Sequence, residues 1–273
     1  MRHLTFKTYS GEIYRTTWHI IKTMPAFLLT IIVIFAIVDL SSIVLAMVSA
    51  SENNEIYKAI ESARNENWVI QIIDIYVTGI VFIKINRLLF LNEQNKFLDP
   101  DGYKALHRYV KLNFLYLLIC LVITLGLFII ALLLTGSHLS KPQIYIVSLI
   151  AFGCSGYIFI RLALLFPAIA LGSNIALRAA WQNSSPHFWN LFRIMAGIIA
   201  SIILCTLAVF YIFEEIFQKL TPVGQIFASI PVRAIYITLT TVIFSVTAGW
   251  LYRHFACELI PLTQSGALQK ETT

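Results

Sequence analysis

The sequence predicts an all-α, polytopic membrane protein: six transmembrane helices in three hairpin pairs, each pair preceded by a short amphipathic interfacial helix. Three observations carry this. Of the 273 residues, 58% are hydrophobic and only 12% are charged, whereas an ordinary soluble domain is about a quarter charged and under half apolar. A chain of this length with water on every side still needs a polar surface, so lipid must be the solvent for much of it. The mean hydropathy of +0.78 is concentrated in six long runs, and a related polar element stands before every second run.

The six runs extend approximately over residues 26–49, 68–91, 112–135, 144–171, 191–217 and 225–256. About 20 apolar residues at ~1.5 Å each cross a hydrocarbon layer of ~30 Å. They are helices rather than barrel strands, because they lack the alternating pattern of roughly ten residues that outer-membrane strands show. The first run ends in Val48-Ser49-Ala50 and so resembles a signal peptide. Its apolar length of about 24 residues exceeds the 7–15 of a signal core, and a retained anchor is expected. Residues 1–261 form a single integral membrane domain in this reading, and residues 262–273 a polar cytoplasmic tail.

Orientation follows from Lys and Arg. With a cytoplasmic N-terminus, 15 of the 20 basic residues fall on the inner side, and only Lys58, Arg64, Lys141, Lys219 and Arg233 fall on the outer. Both termini are then cytoplasmic by the positive-inside rule. The formal charge of +6 is a topology signal in this reading, and no nucleic-acid partner is expected.

The polar elements resemble one another. Ser10, Arg15 and Trp18 have the spacing of Ser173, Arg178 and Trp181, and Asp99, Lys104 and His107 form a looser copy. Glu12, Arg15, His19 and Lys22 share one face of a helix, with Ile13, Thr17, Ile20 and Met24 on another. Lys104, His107, Arg108 and Lys111 repeat this against Tyr103, Leu106 and Val110. Such helices lie along the headgroup layer with their bases toward anionic lipid. Arg15, Lys104, Arg161 and Arg178 are therefore the candidate lipid-headgroup contacts. Arg87, Arg161 and Arg253 each stand near the cytoplasmic end of the second helix of a pair, where they and Lys84 snorkel.

Charges inside apolar runs are costly and often functional. Asp39 and Asp74 are the candidate intramembrane polar site, each roughly 9–15 Å below the outer surface at ~1.5 Å per residue. Facing each other, they would form a proton or cation site. The alternative is that each is hydrated or hydrogen-bonded, Asp39 by Ser41 or Ser42. Glu214 and Glu215 either pair with Arg233 or are solvated. His254 and Glu258 form a surface pair four residues apart. The cysteines, Cys120, Cys154, Cys205 and Cys257, show no CxxC spacing and are expected as buried, inert thiols. Small-residue seams such as Ala151 with Ser155 and Ser245 with Gly249 allow close helix approach. Pro167 is expected to kink or end the fourth run.

No catalytic, cofactor-binding or metal-binding constellation is found. Asp101–Leu106, DGYKAL, begins like the motif of CDP-alcohol phosphotransferases, but Leu106 replaces its arginine and no spaced aspartates follow. GxSxG, HExxH and a Walker A loop are absent.

Residues 161–192, RLALLFPAIALGSNIALRAAWQNSSPHFWNLF, resemble the YciC-like bacterial inner-membrane proteins and the membrane domain attached to some glycerophosphodiester phosphodiesterases. Arg161, Pro167, Arg178, Trp181, Phe188 and Trp189 carry the resemblance, and Gly172 departs from it where an acidic residue is common. It implies a multi-pass protein of the bacterial plasma membrane. The phosphodiesterase activity is not carried over, because no such domain is present. The expected function is non-enzymatic, in envelope or lipid homeostasis or as a membrane accessory, with lipids and other membrane proteins as partners. The alternative is a small transporter or channel using Asp39 and Asp74.

Overall fold

The computed structural model describes residues 6–50, 68–92, 99–135, 140–172, 181–182 and 184–255. Its eight helices among these residues are α1 (Phe6–Thr23), α2 (Pro25–Ala50), α3 (Trp68–Leu91), α4 (Pro100–Thr135), α5 (Lys141–Leu162), α6 (Leu165–Ala170), α7 (Phe188–Phe217) and α8 (Pro222–Phe255). No strand occurs among the described residues. Five segments are long and apolar enough to cross a membrane: Val69–Leu91, Pro100–Thr135, Lys141–Leu162, Phe188–Val209 and Phe227–Phe255. A sixth arises if the bent pair α1 and α2 counts as one span. The chain is thus an all-helical protein of multi-pass membrane character.

Two of the breaks between helices fall at prolines. Pro25 has no N–H for the carbonyl of Ile21, and its ring crowds that carbonyl. Tyr9–Thr23 and Pro25–Ser41 meet there at 88°. Met24 closes one helix and opens the next: its N–H donates to Ile20 O (3.0 Å) and its carbonyl accepts from Leu28 N–H (3.1 Å). Pro167 acts in the same way one turn downstream of the break between α5 and α6. The residue four before it is Ala163, where the helical pattern gives way to a turn.

Between Asp99 and Lys111, where a separate interfacial helix was expected to precede a span starting at Leu112, α4 runs unbroken for 36 residues. No proline or glycine stands between Tyr103 and Thr124, so nothing in the backbone marks the change from polar to apolar. At ~1.5 Å per residue α4 is about 54 Å long, far more than the ~30 Å of a hydrocarbon layer. Its buried residues, Gly102, Ala105, Leu106, Val110 and Leu112, all lie before Asn113.

Contacts divide the chain into two compact units: residues 1–85 with 194–247, and residues 86–193 with 248–273. In the first unit, α1 buries Ile13, Thr17 and Ile20 on one face and exposes Glu12, Arg15, Trp18 and His19 on the other. In α2 the stripe Leu28, Ile31, Phe35, Asp39 and Ile43 is buried at helical spacing, continuing from Met24. The opposite face is equally apolar but uncovered, with Leu29 at 62% and Ile37 at 59% exposure. Water does not tolerate such a surface, and lipid does.

In the second unit, α4, α5 and α6 pack through aromatic rings. Tyr109 meets Phe166 at 5.5 Å, and Phe159 meets Phe166 at 6.1 Å between ring centres. The Tyr116 hydroxyl donates to Ser155 O at 3.3 Å, beside the Ala151 seam. Gly249 of α8 lies against α3: a Cβ there would stand 2.8 Å from Asn86 Oδ1 and 3.3 Å from Leu89 Cδ1. Phe90 and Tyr252 close this contact edge to face at 5.8 Å.

The thiols depart from expectation. Cys154 and Cys205 are exposed and free, and Cys120 is half-buried and free. They lie on outward apolar flanks beside Phe152 and Leu204, so hydropathy placed them in helices without saying which face they occupy. Cys257 lies outside the described residues.

Candidate functional site

Asp39 and Asp74 each lie beside the same third residue, Arg233. The buried stripe of α2 delivers Asp39, α3 delivers Asp74, and α8 delivers Arg233. A guanidinium N–H of Arg233 donates to Asp39 Oδ1, and its other terminal nitrogen lies 3.9 Å from Asp74 Oδ2. The side chain of Asp39 is only 6% exposed, against 27% for Asp74 and 32% for Arg233. A charge this enclosed needs a partner and hydrogen bonds to offset its desolvation.

Ser41 Oγ donates to Val38 O at 2.8 Å rather than to Asp39, as serines within helices commonly do. The side chain of Ser42 is outside the described residues. The expectation from sequence is that Glu214 and Glu215 pair with Arg233 or are solvated, with Arg233 on the outer side. Its guanidinium turns to the two aspartates, while Glu214 Oε1 accepts from Gln218 Nε2 at 3.4 Å; the Glu215 side chain is not among those described. Arg233 stands two residues after Pro231, the proline inside α8. The signal that could have singled it out was present: it is an ionisable residue eight positions into an apolar run.

A second cluster lies in the other unit. Asp99 caps α4, accepting from Gly102 N–H at 2.7 Å on Oδ1. Its other oxygen accepts from Arg87 at 2.8 Å, and the Arg87 side chain is 8% exposed. One carboxylate thus satisfies the start of one helix and positions a cation at the end of another. Lys104 and Arg108, one helical turn apart, stand on the same face of α4. With Arg87, Leu91, Asp101, Ala105, Leu171 and Gly172 they wall a cavity of about 440 Å³. Lys104 Nζ reaches Asp101 Oδ1 at 3.2 Å, both side chains being well exposed.

Gly172 has a φ of +78°, and its N–H donates to Ile169 O at 2.9 Å. A left-handed residue closing a helix is cheapest as glycine. That accounts for glycine where the resemblance favours an acidic residue.

Arg161, a candidate headgroup contact, is 8% exposed and faces its own chain. Its Nε donates to the Tyr157 hydroxyl at 3.1 Å, and one terminal nitrogen to Trp181 O and Ser184 Oγ at 3.2 and 3.4 Å. The guanidinium centre stands 5.4, 4.9 and 6.0 Å from the rings of Tyr157, Trp181 and Phe188. Arg15 is exposed on α1, and Lys22 Nζ lies 5.2 Å over the Trp18 ring. Ser173, Arg178 and Glu258 lie outside the described residues. Lys84 does not snorkel: it is 6% exposed. His254 stacks on Trp250 with ring centres 3.7 Å apart.

Among the described residues no three His, Cys, Asp or Glu side chains are grouped to hold a metal ion. Compared with protein-family models, curated proteins and solved structures, the chain matches none.

Proposed function

We propose that this is a non-enzymatic multi-pass protein of the bacterial inner membrane that binds anionic phospholipid headgroups, in envelope or lipid homeostasis or as a membrane accessory. The cavity walled by Arg87, Lys104 and Arg108 carries the reading. It gathers three cations at the polar end of α4, the helix with the most apolar span. In the proposed topology six spans form three pairs, both termini are cytoplasmic, and α1 lies along the inner headgroup layer. The right-angled turn at Met24–Pro25 and the one-sided burial of α1 support that placement. The cavity then faces the cytoplasmic leaflet. Membership of the YciC-like family is part of the proposal, supported by Arg161, Trp181 and Phe188 forming one cluster.

The deciding experiment is native mass spectrometry of the full-length protein released from mixed-lipid nanodiscs. Wild type should retain anionic phospholipid, and Arg108→Gln should retain about tenfold less, as loss of a charge-assisted contact implies. Equal retention by both proteins would remove the reading.

The convergence of Asp39, Arg233 and Asp74 favours a second reading, a small transporter or channel. It requires ion flux in proteoliposomes that Asp39→Asn and Asp74→Asn each abolish.

A further inference from the structure

The cavity's own charges say which headgroup fits it, an inference that rests on the lipid-binding reading above. Arg87 is matched by Asp99 at 2.8 Å and Lys104 by Asp101 at 3.2 Å. Among the described residues Arg108 has no such carboxylate partner. Among the described residues these three cations and two carboxylates sum to +1, a charge that one singly charged phosphodiester matches. A phosphomonoester or a doubly charged lipid would leave excess negative charge in the site.

Asp101 adds a second requirement. It lines the cavity, and a carboxylate beside an anion is repulsive unless the ligand also brings hydrogen-bond donors. Ionised, Asp101 only accepts. A ligand with a phosphate at one end and hydroxyls at the other satisfies Arg108 and Asp101 together. The volume of about 440 Å³ lies in the ordinary range of small-ligand pockets, roughly 300–1,000 Å³. Leu91, Ala105 and Leu171 give it an apolar wall against which the glycerol carbons can rest.

We propose that the Arg87–Lys104–Arg108–Asp101 cavity is a phosphoglycerol site, with the phosphodiester on Arg108 and Arg87 and the terminal glycerol hydroxyls donating to Asp101. The same chemistry occurs in a membrane lipid and in a soluble glycerophosphodiester. The apolar wall and the span continuous with α4 favour the lipid.

The test exchanges full-length protein against vesicles holding equal parts phosphatidylglycerol, phosphatidylethanolamine, phosphatidic acid and cardiolipin, with bound lipid read by native mass spectrometry. Phosphatidylglycerol should be retained at least about fivefold over phosphatidic acid, the size of one hydrogen bond's discrimination. Asp101→Asn keeps the shape of a well-exposed side chain and should erase that preference. Lys104→Gln should release Asp101 and weaken phosphate binding without restoring a preference for phosphatidic acid. In a parallel arm, soluble glycerophosphoglycerol displaces the bound lipid only if the acyl chains add nothing, which would assign the site to the soluble compound. If wild type and Arg108→Gln hold equal amounts of every lipid, the lipid-binding reading itself fails. If anionic lipid is held and lost in Arg108→Gln, yet Asp101→Asn leaves the lipid ratio untouched, only the phosphoglycerol assignment is overturned.

Discussion

Arg233 shows how one residue can fix the meaning of two others. Alone, Asp39 and Asp74 read as a site for a cation or proton; with the guanidinium between them, one of their two charges is already balanced. Removing the arginine leaves an enclosed carboxylate without its counter-charge, which typically costs several kcal/mol. Arg233→Ala should therefore destabilise the detergent-solubilised protein by about 3 kcal/mol, read as a lower thermal midpoint. The double variant Asp39→Asn with Arg233→Gln removes both charges and should recover roughly half of that loss. A fully additive double variant would show that the pair is not coupled. Gly249 makes a second residue-scale prediction. A Cβ there meets Asn86 Oδ1 at 2.8 Å, so Gly249→Leu should cost about 1–3 kcal/mol by overpacking, measured in the same melt. An unchanged midpoint would mean that α3 and α8 separate there without strain.

At the scale of elements, backbone chemistry and side-chain polarity give different boundaries, and the backbone prevails. Polarity divides Asp99–Lys111 from Leu112–Thr135, but no proline or glycine stands near their junction and one helix results. Polarity likewise changes at Thr23–Ala26, and there Pro25 is present and the chain turns by 88°. Spin labels at positions 9 and 41 should lie about 34 Å apart in the native protein, against about 48 Å for a straight helix at ~1.5 Å per residue. Pro25→Ala should shift the distribution toward the longer distance; an unmoved distribution would assign the turn to packing of Ile13, Thr17 and Ile20. What could be read beforehand follows the same division. The apolar runs, the break at Pro167 and the cost of Asp39 and Asp74 are local properties that stand out in the sequence. The pairing of Arg233 with Asp39 spans 194 residues, and no local pattern reports it. The Arg87–Asp99 pair is hidden for a related reason: its spacing from Lys104 and His107 marks Asp99 as part of a repeat, while its two oxygens serve a helix cap and a cation.

For the molecule as a whole, the decisive property is an apolar exterior. Val122 on α4 is 62% exposed and surrounded by Leu118 and Leu121, which are also exposed. On a water-facing surface Val122→Arg would be nearly neutral. At the centre of a lipid-facing span it should reduce insertion by about 2.5–3.5 kcal/mol, visible as protein lost from the membrane fraction. Full membrane recovery of the variant would argue that this face is covered by another protein surface.

The uninterrupted length of α4 has a mechanical consequence. Its apolar part, Leu112–Thr135, is 24 residues or about 36 Å long, some 6 Å more than a hydrocarbon layer of ~30 Å. A rod with hydrophobic mismatch of this size relieves it by tilting. Because Lys104 and Arg108 belong to the same rod, any tilt swings them through the headgroup layer. In the proposed topology, bilayer thickness thereby sets how deeply the basic end of α4 reaches.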